Sequence, residues 1–180
     1  MKLLFLILIT CWMLPEGIDK DHPPKWPQPP PAPNRLFYIQ RSSNANTIVY
    51  DAQLGAKGRF NPDKPVVVYW LRYAEQGQRQ ELSWIQRTLA YGLSRPELLG
   101  EELVTNWVSY RKRPLHLTID ADGHPVARIQ INNRMAQLRR VFVQVGDSAR
   151  ANPKIAFINY IDLYGQDIKT RQPVHERFVP

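Results

Sequence analysis

Three patterns of apolar and polar residues succeed one another along the chain. The first, MKLLFLILITCWMLPEG, carries one Lys and then an apolar run from Leu3 to Leu14, broken by Thr10 and Cys11. The second, PPKWPQPPPAP at 23–33, holds seven prolines in eleven positions. The third starts at Asn34 and consists of short apolar runs separated by turn residues. Alternation sends successive side chains to opposite faces of a strand, so this third stretch reads as a β-rich domain over 34–180.

Within that domain, RLFYIQR and TIVYDAQL flank the polar turn SSNAN and predict a hairpin. GAKGRFNPDKP is a loop, and EQGQRQ is a turn. VVVYWLRYA between them is apolar on both faces and predicts a central strand covered on both sides. ELSWIQRTLAYGL then places Leu82, Ile85 and Leu89 at helical spacing, and Gly92 and Pro96 follow as stop signals. One inserted α-helix over about residues 81–93 is expected. LVTNWVSYRKR, PLHLTI, HPVARIQI, MAQLRRVFVQV and KIAFINYIDLYG form a meander with turns at DADG and NNR. The fold class is mainly β: a single-domain antiparallel sandwich or partly closed barrel of about seven or eight strands with that helix.

The first segment, 1–22, has the length of a signal peptide and falls short of the apolar span of about 20 residues that crosses a bilayer. The protein is therefore expected to be exported, periplasmic or extracellular, with no transmembrane span in the mature domain. Thr10 is a poor residue before a lipidated Cys, which argues against lipid anchoring at Cys11. The prolines of 23–33 favour extended polyproline II, a stiff spacer of about 30 Å.

Composition adds a charge. The net charge is +8, and from Asn34 onward there are 21 basic and 13 acidic residues, 16 of the basic ones Arg. Arginine's planar fork suits carboxylates, phosphates and aromatic faces, so the balance tilts towards an anionic partner. An exported protein seldom meets nucleic acid, and none is expected as a partner. Cys11 is the only cysteine, which excludes an internal disulfide. The four His, at 22, 116, 124 and 175, are too scattered for a local metal motif, so neither metal nor cofactor is expected.

Nucleophile elbows, phosphate loops and zinc or calcium motifs are absent from the sequence. What remains is arginine beside aromatics in apolar strands. Arg72 shares a strand face with Val66, Val68 and Trp70, and a buried charge needs a counter-charge. Asp51, Glu75 and Glu81 are candidate internal partners. Alternatively Arg72, with Arg41 and Arg87, lines an opening flanked by Trp70 and Trp84 and meets an anionic ligand. Arg41 joins this set because it shares parity with Phe37 and Ile39.

RLFYIQRSSNANTIVYDA, PVVVYWLRYAEQGQRQELSWIQRTLAYG and IDLYG together resemble the bacterial domain of unknown function 4833, over about Leu36 to Phe178. The resemblance implies one conserved domain in exported bacterial proteins and supplies no catalytic residues. The reading is an exported noncatalytic β domain that binds an anionic small molecule, a lipid or an envelope polymer through an Arg and aromatic rim. Two alternatives stand beside it: a hydrolase of unrecognised type with His116 or Asp51 as base, and a purely structural envelope module.

Overall fold

The computed structural model describes residues 25–55, 58–146 and 157–180. The segment expected to direct export, Cys11 and the first two prolines of the spacer lie outside them. Eleven strands follow in chain order: β1 (Arg35–Arg41), β2 (Asn44–Ala52), β3 (Val66–Arg72), β4 (Gln78–Glu81), β5 (Glu97–Leu99), β6 (Glu102–Trp107), β7 (Tyr110–Ile119), β8 (Pro125–Ile131), β9 (Arg134–Val145), β10 (Ile158–Asp167) and β11 (Pro173–Phe178). The mainly β class holds, as one open, curled sheet shaped like a half-barrel.

The junction of the sheet is β9. β10 pairs with it antiparallel from Ala136 to Val145, occupying one edge. β8 pairs antiparallel with Arg134–Gln137, and β1 pairs parallel with Arg140–Val143. These two must share the remaining edge, one after the other. From there two wings lead away, β1-β2-β3-β4 and β8-β7-β6-β5. Their apolar faces turn towards each other, and Phe37 of β1 meets Trp107 of β6 edge-on at 5.6 Å while stacking on Tyr50 of β2 at 4.3 Å. The core collects Leu36, Ile48, Leu115, Ile129 and Leu138, all essentially without solvent contact.

Several elements differ from the sequence reading. LVTNWVSYRKR, expected as one strand, turns at Val108–Ser109 to give β6 and β7, because Trp107 pairs back with Tyr110. EQGQRQ is half turn and half strand: β4 pairs with β3 and forms the sheet edge. β3 is therefore second from an edge. The helix is shorter than 81–93. Its α-helical part, α1, covers Trp84–Gln86, and a wider π turn, Arg87–Tyr91, continues it. Glu81 is claimed by β4, and Leu93 bridges to Trp107 of β6.

The helix is fixed at both ends by short-range chemistry. Ser83 caps it: its hydroxyl accepts from the Gln86 amide, while the Gln86 side chain accepts from the Ser83 amide. At the far end a Cβ on Gly92 would collide with the Arg87 carbonyl. The less exposed residues are Gln86, Ala90 and Tyr91, the first and last five apart, an interval that an i→i+5 turn aligns. Ile85 and Leu89, expected on the core side, face outward instead.

The described part of the proline-rich stretch lies on the sheet. The carbonyls of Pro27, Gln28 and Pro30 accept hydrogen bonds from Gln40, Tyr73 and Arg35, and Trp26 Nε1 donates to the Arg41 carbonyl at 2.8 Å. Prolines lack N–H donors but keep their carbonyls, so the prolines of the segment can bind a sheet only by accepting. It contributes contacts as well as length.

On the opposite side of the sheet from the core, β11 is held to β10 by charge. Asp162, fully buried, accepts from Arg177 Nε and Nη2 at 2.9 and 3.0 Å and lies 3.0 Å from His175 Nε2. Burial acts to raise the Asp162 carboxyl, but the bonds from Arg177 and His175 outweigh it and hold the group below its ordinary range. Its contribution is present above the ordinary carboxylate pKa, 3.8, and disappears as pH falls through the lower folded value. In acid titrations followed by circular dichroism, Asp162→Asn is expected to cost about 1–3 kcal/mol at pH 7 and to flatten the loss of stability below pH 4. An unchanged acid profile would show that Asp162 does not carry this linkage.

Gly165 offers a second test. At a register shift in β10 it faces Leu138, and a Cβ there would lie 2.6 Å from the Gln137 carbonyl oxygen and 2.9 Å from Ile131 Cδ1. Gly165→Ala is expected to cost about 1–3 kcal/mol, visible as a lower Tm. Gly55→Ala, whose Cβ would meet nothing closer than 3.9 Å, serves as the near-neutral control.

Candidate functional site

Strand parity brings one set of side chains to the inner face at the junction. Ile39 and Arg41 of β1 stand beside Val141 and Val143 of β9, which in turn stand beside Leu163 and Ile161 of β10. The two wings diverge from the shared edge, and a concavity of about 440 Å³ opens over these residues. Trp107, Tyr110 and Phe178 close its sides, and Leu89 and Tyr91 of the π turn overhang it. The size falls within the usual range of small-molecule sites, about 300–1,000 Å³.

Two arginines enter this apolar wall, and they differ in their partners. Arg113 is answered by Glu176, with both carboxylate oxygens engaged at 2.5 and 2.8 Å, and its guanidinium covers the Phe178 ring at 4.4 Å. The Arg113 hydrogen bonds, with a further one from the Asn132 amide, hold Glu176 below the ordinary range despite partial burial. Arg41 has no carboxylate partner among the described residues. Its Nη1 donates to the Tyr91 hydroxyl at 3.1 Å, its guanidinium lies 5.0 Å from the Trp70 ring, and its Nε is buried with no acceptor. Guanidinium carries five N–H donors, so this one is under-satisfied in an apolar setting.

The Arg41 geometry is built by neighbours. Trp70 Nε1 donates to Gln86 Oε1, the same oxygen that takes the Ser83 amide, so the helix cap locks the indole. Tyr50 donates to the Tyr91 carbonyl at 2.7 Å, fixing the end of the π turn above β2. Burial raises the Tyr50 hydroxyl far above its ordinary range, so it stays protonated as that donor. Trp70 and Tyr91 meet edge-on at 5.4 Å and present their faces to Arg41.

Of the five residues read from sequence as a ligand set, the structure brings Arg41 and Trp70 together. Arg72 lies at the end of β3, partly exposed, paired with Glu75 and donating to Gln80 at 2.9 Å. Arg87 pairs with Glu81 at 3.4 Å beside a different, more polar hollow. Trp84 stands exposed at the start of the helix. Tyr91, Arg113 and the β9 valines were missing from that set. The parity of Val141, Val143 and Val145 signalled a strand face, but nothing local paired it with Ile39 and Arg41.

The residues weighed as bases are occupied elsewhere. Asp51 accepts from Arg35 at 2.5 Å and from the Tyr69 hydroxyl at 2.7 Å. His116 Nδ1 lies 2.9 Å from Glu102, which Arg128 also approaches at 3.4 Å. Asp120, Asp122 and His124 bring ligand atoms within 4.8 Å of one another at the DADG turn, but Asp120 Oδ1 already accepts two backbone amides, the bonding of a tight turn open to water.

The Arg72 pair yields a direct expectation. Exposed ion pairs contribute about 0–1 kcal/mol, so Arg72→Ala should leave the Tm within a few degrees of wild type in a thermal melt. A collapse of the fold would mean that Arg72 carries a buried interaction instead.

No helix among the described residues is long and apolar enough to cross a membrane. No curated protein and no solved structure matches the chain. A family profile described as Domain of unknown function (DUF4833) matches residues 37–177, nearly every strand described above. The chain belongs to the DUF4833 family.

Proposed function

We propose that this domain is an exported, noncatalytic binding module whose ligand is a single-chain amphiphile with an acidic head, its tail in the apolar concavity and its head at Arg41. The observation that carries the reading is the under-satisfied Arg41 guanidinium in an otherwise apolar wall. An anionic head supplies the missing acceptors, and Trp70 and Tyr91 hold the cation in place for it. The opposite wall supports the same assignment, since Arg113 is neutralised by Glu176 and leaves one unmatched positive charge on the lining. At about 30 Å³ per water-sized group the space holds about 15 heavy atoms, which is the size of dodecanoate. The expected export signal at 1–22 supports an encounter in the periplasm or outside the cell.

The test is a titration with dodecanoate, read by thermal shift and by tryptophan fluorescence, with dodecanol as the uncharged comparison. Dodecanoate is expected to raise the Tm and to bind more tightly than dodecanol. A charge-assisted hydrogen bond contributes about 1.5–3 kcal/mol, so Arg41→Ala should weaken dodecanoate about 10- to 100-fold and leave dodecanol nearly unchanged. Equal affinity of wild type and Arg41→Ala for dodecanoate sinks the proposal and favours a purely structural module.

A further inference from the structure

The mouth of the concavity is bordered by apolar side chains that face water. Leu89 and Ile158 line the opening and are 67% and 40% exposed. Ile85, one turn before Leu89, is 62% exposed, and Trp84 beside it 75%. Phe157 precedes Ile158 at 61%, and Val179, between the lining residues Phe178 and Pro180, stands at 75%. Leu89 and Ile158 thus line the opening themselves, and four further exposed apolar residues lie within five positions of a lining residue along the chain. Scattered exposed apolar residues need no explanation, but a cluster around a cavity mouth marks an interaction surface.

Among the described residues, two exposed cations without a counter-charge stand next to the lining. The β6–β7 hairpin supplies Ser109 and Tyr110 to the lining, and the next two residues, Arg111 and Lys112, are exposed. Neither of these two has an ion-pair partner among the described residues, whereas Arg87 on the helix pairs with Glu81. Exposed apolar side chains beside two unpaired cations, with an exposed Trp, have the composition that partitions into the interface of an anionic bilayer. A second copy would bring like charges together in a chain of net charge +8. A bilayer also solves a physical problem for the ligand: an acyl tail can move between membrane and concavity without crossing water only if the mouth itself meets the membrane.

From this we infer that the rim formed by the helix, the start of β10 and the end of β11 docks on the surface of an anionic bilayer, so that the concavity exchanges its ligand with the membrane. The direction of exchange rests on the ligand reading above; the docking does not, and the two can fail separately.

The test uses the full chain, with Cys11→Ser and a single cysteine introduced by Ile85→Cys on the rim or by Asp122→Cys at the β7–β8 turn, the far end of β7 from Tyr110. Each carries an environment-sensitive fluorophore and is mixed with phosphatidylglycerol or phosphatidylcholine vesicles. The expected result is a blue shift and protection from aqueous iodide at position 85 with phosphatidylglycerol, less with phosphatidylcholine or high salt, and none at 122. Adding Trp84→Asp, which sits comfortably in the first turn of the helix, should weaken the vesicle response at 85 about tenfold. The inference is overturned by no shift at 85, or by equal shifts at both positions, which would mean attachment through the N-terminal apolar run alone. It is also overturned by a label at 85 already shielded before vesicles are added: dependence on protein concentration would assign the rim to a second copy, and independence to the chain's own segment 3–14. Dodecanoate binding without a rim shift would leave the ligand reading standing and remove the docking.

Discussion

A β-strand has two edges, and β9 has three partners. β10 takes one edge along nearly the whole strand, so β8 and β1 divide the other between Arg134–Gln137 and Arg140–Val143. Because hydrogen-bond geometry admits one neighbour per edge at any point, the two wings begin at different heights along β9 and twist apart. Their apolar faces can still meet, as Phe37 and Trp107 do, but not everywhere. The space they leave over Ile39, Val141, Val143 and Ile161 is the concavity, and Arg41 reaches it because it is the last residue of β1 to pair with β9.

Charges in this fold are handled in two ways. Asp162, Glu176 and Asp51 each face an arginine with good hydrogen-bond geometry, and these pairs lie where strands or segments must be held together: β10 to β11, β7 to β11, and the start of β1 to β2. A buried carboxylate costs several kcal/mol unless so answered. Arg41 receives a hydroxyl and two aromatic faces instead. Aromatic faces attract a cation while leaving its N–H edge free, so the arrangement holds the guanidinium in place without neutralising it. That difference separates a structural arginine from one suited to a ligand.

The helix illustrates how local and tertiary demands were reconciled. Its start follows from Ser83 and Gln86 and its end from Gly92, all legible as residue types. The apolar spacing of Leu82, Ile85 and Leu89 pointed to a core face that the molecule does not use. Leu82 is buried, but ahead of the helix; Leu89 is at the mouth of the concavity, and Ile85, one turn before it, is exposed. Helical periodicity says which residues share a face and is silent on what that face meets. Here Gln86 and Tyr91 turn inward, held by their bonds to Trp70, Arg41 and Tyr50.

The sequence by itself determined the β-rich class, most strands, the turns at DADG and NNR, the single helix and the family, because alternation, turn chemistry and helix-stop residues act over a few residues. It also put Arg41 on the face of Ile39, since parity along a strand is local. Only the tertiary structure decided that β9 joins β1 in parallel, a pairing between residues about a hundred positions apart that leaves no local trace. It decided too that Glu75 answers Arg72 and Glu176 answers Arg113, while Arg41 meets Tyr91. Which charge is neutralised and which is left to a ligand depends on distances between strands, and those are fixed only when the sheet has curled over its core.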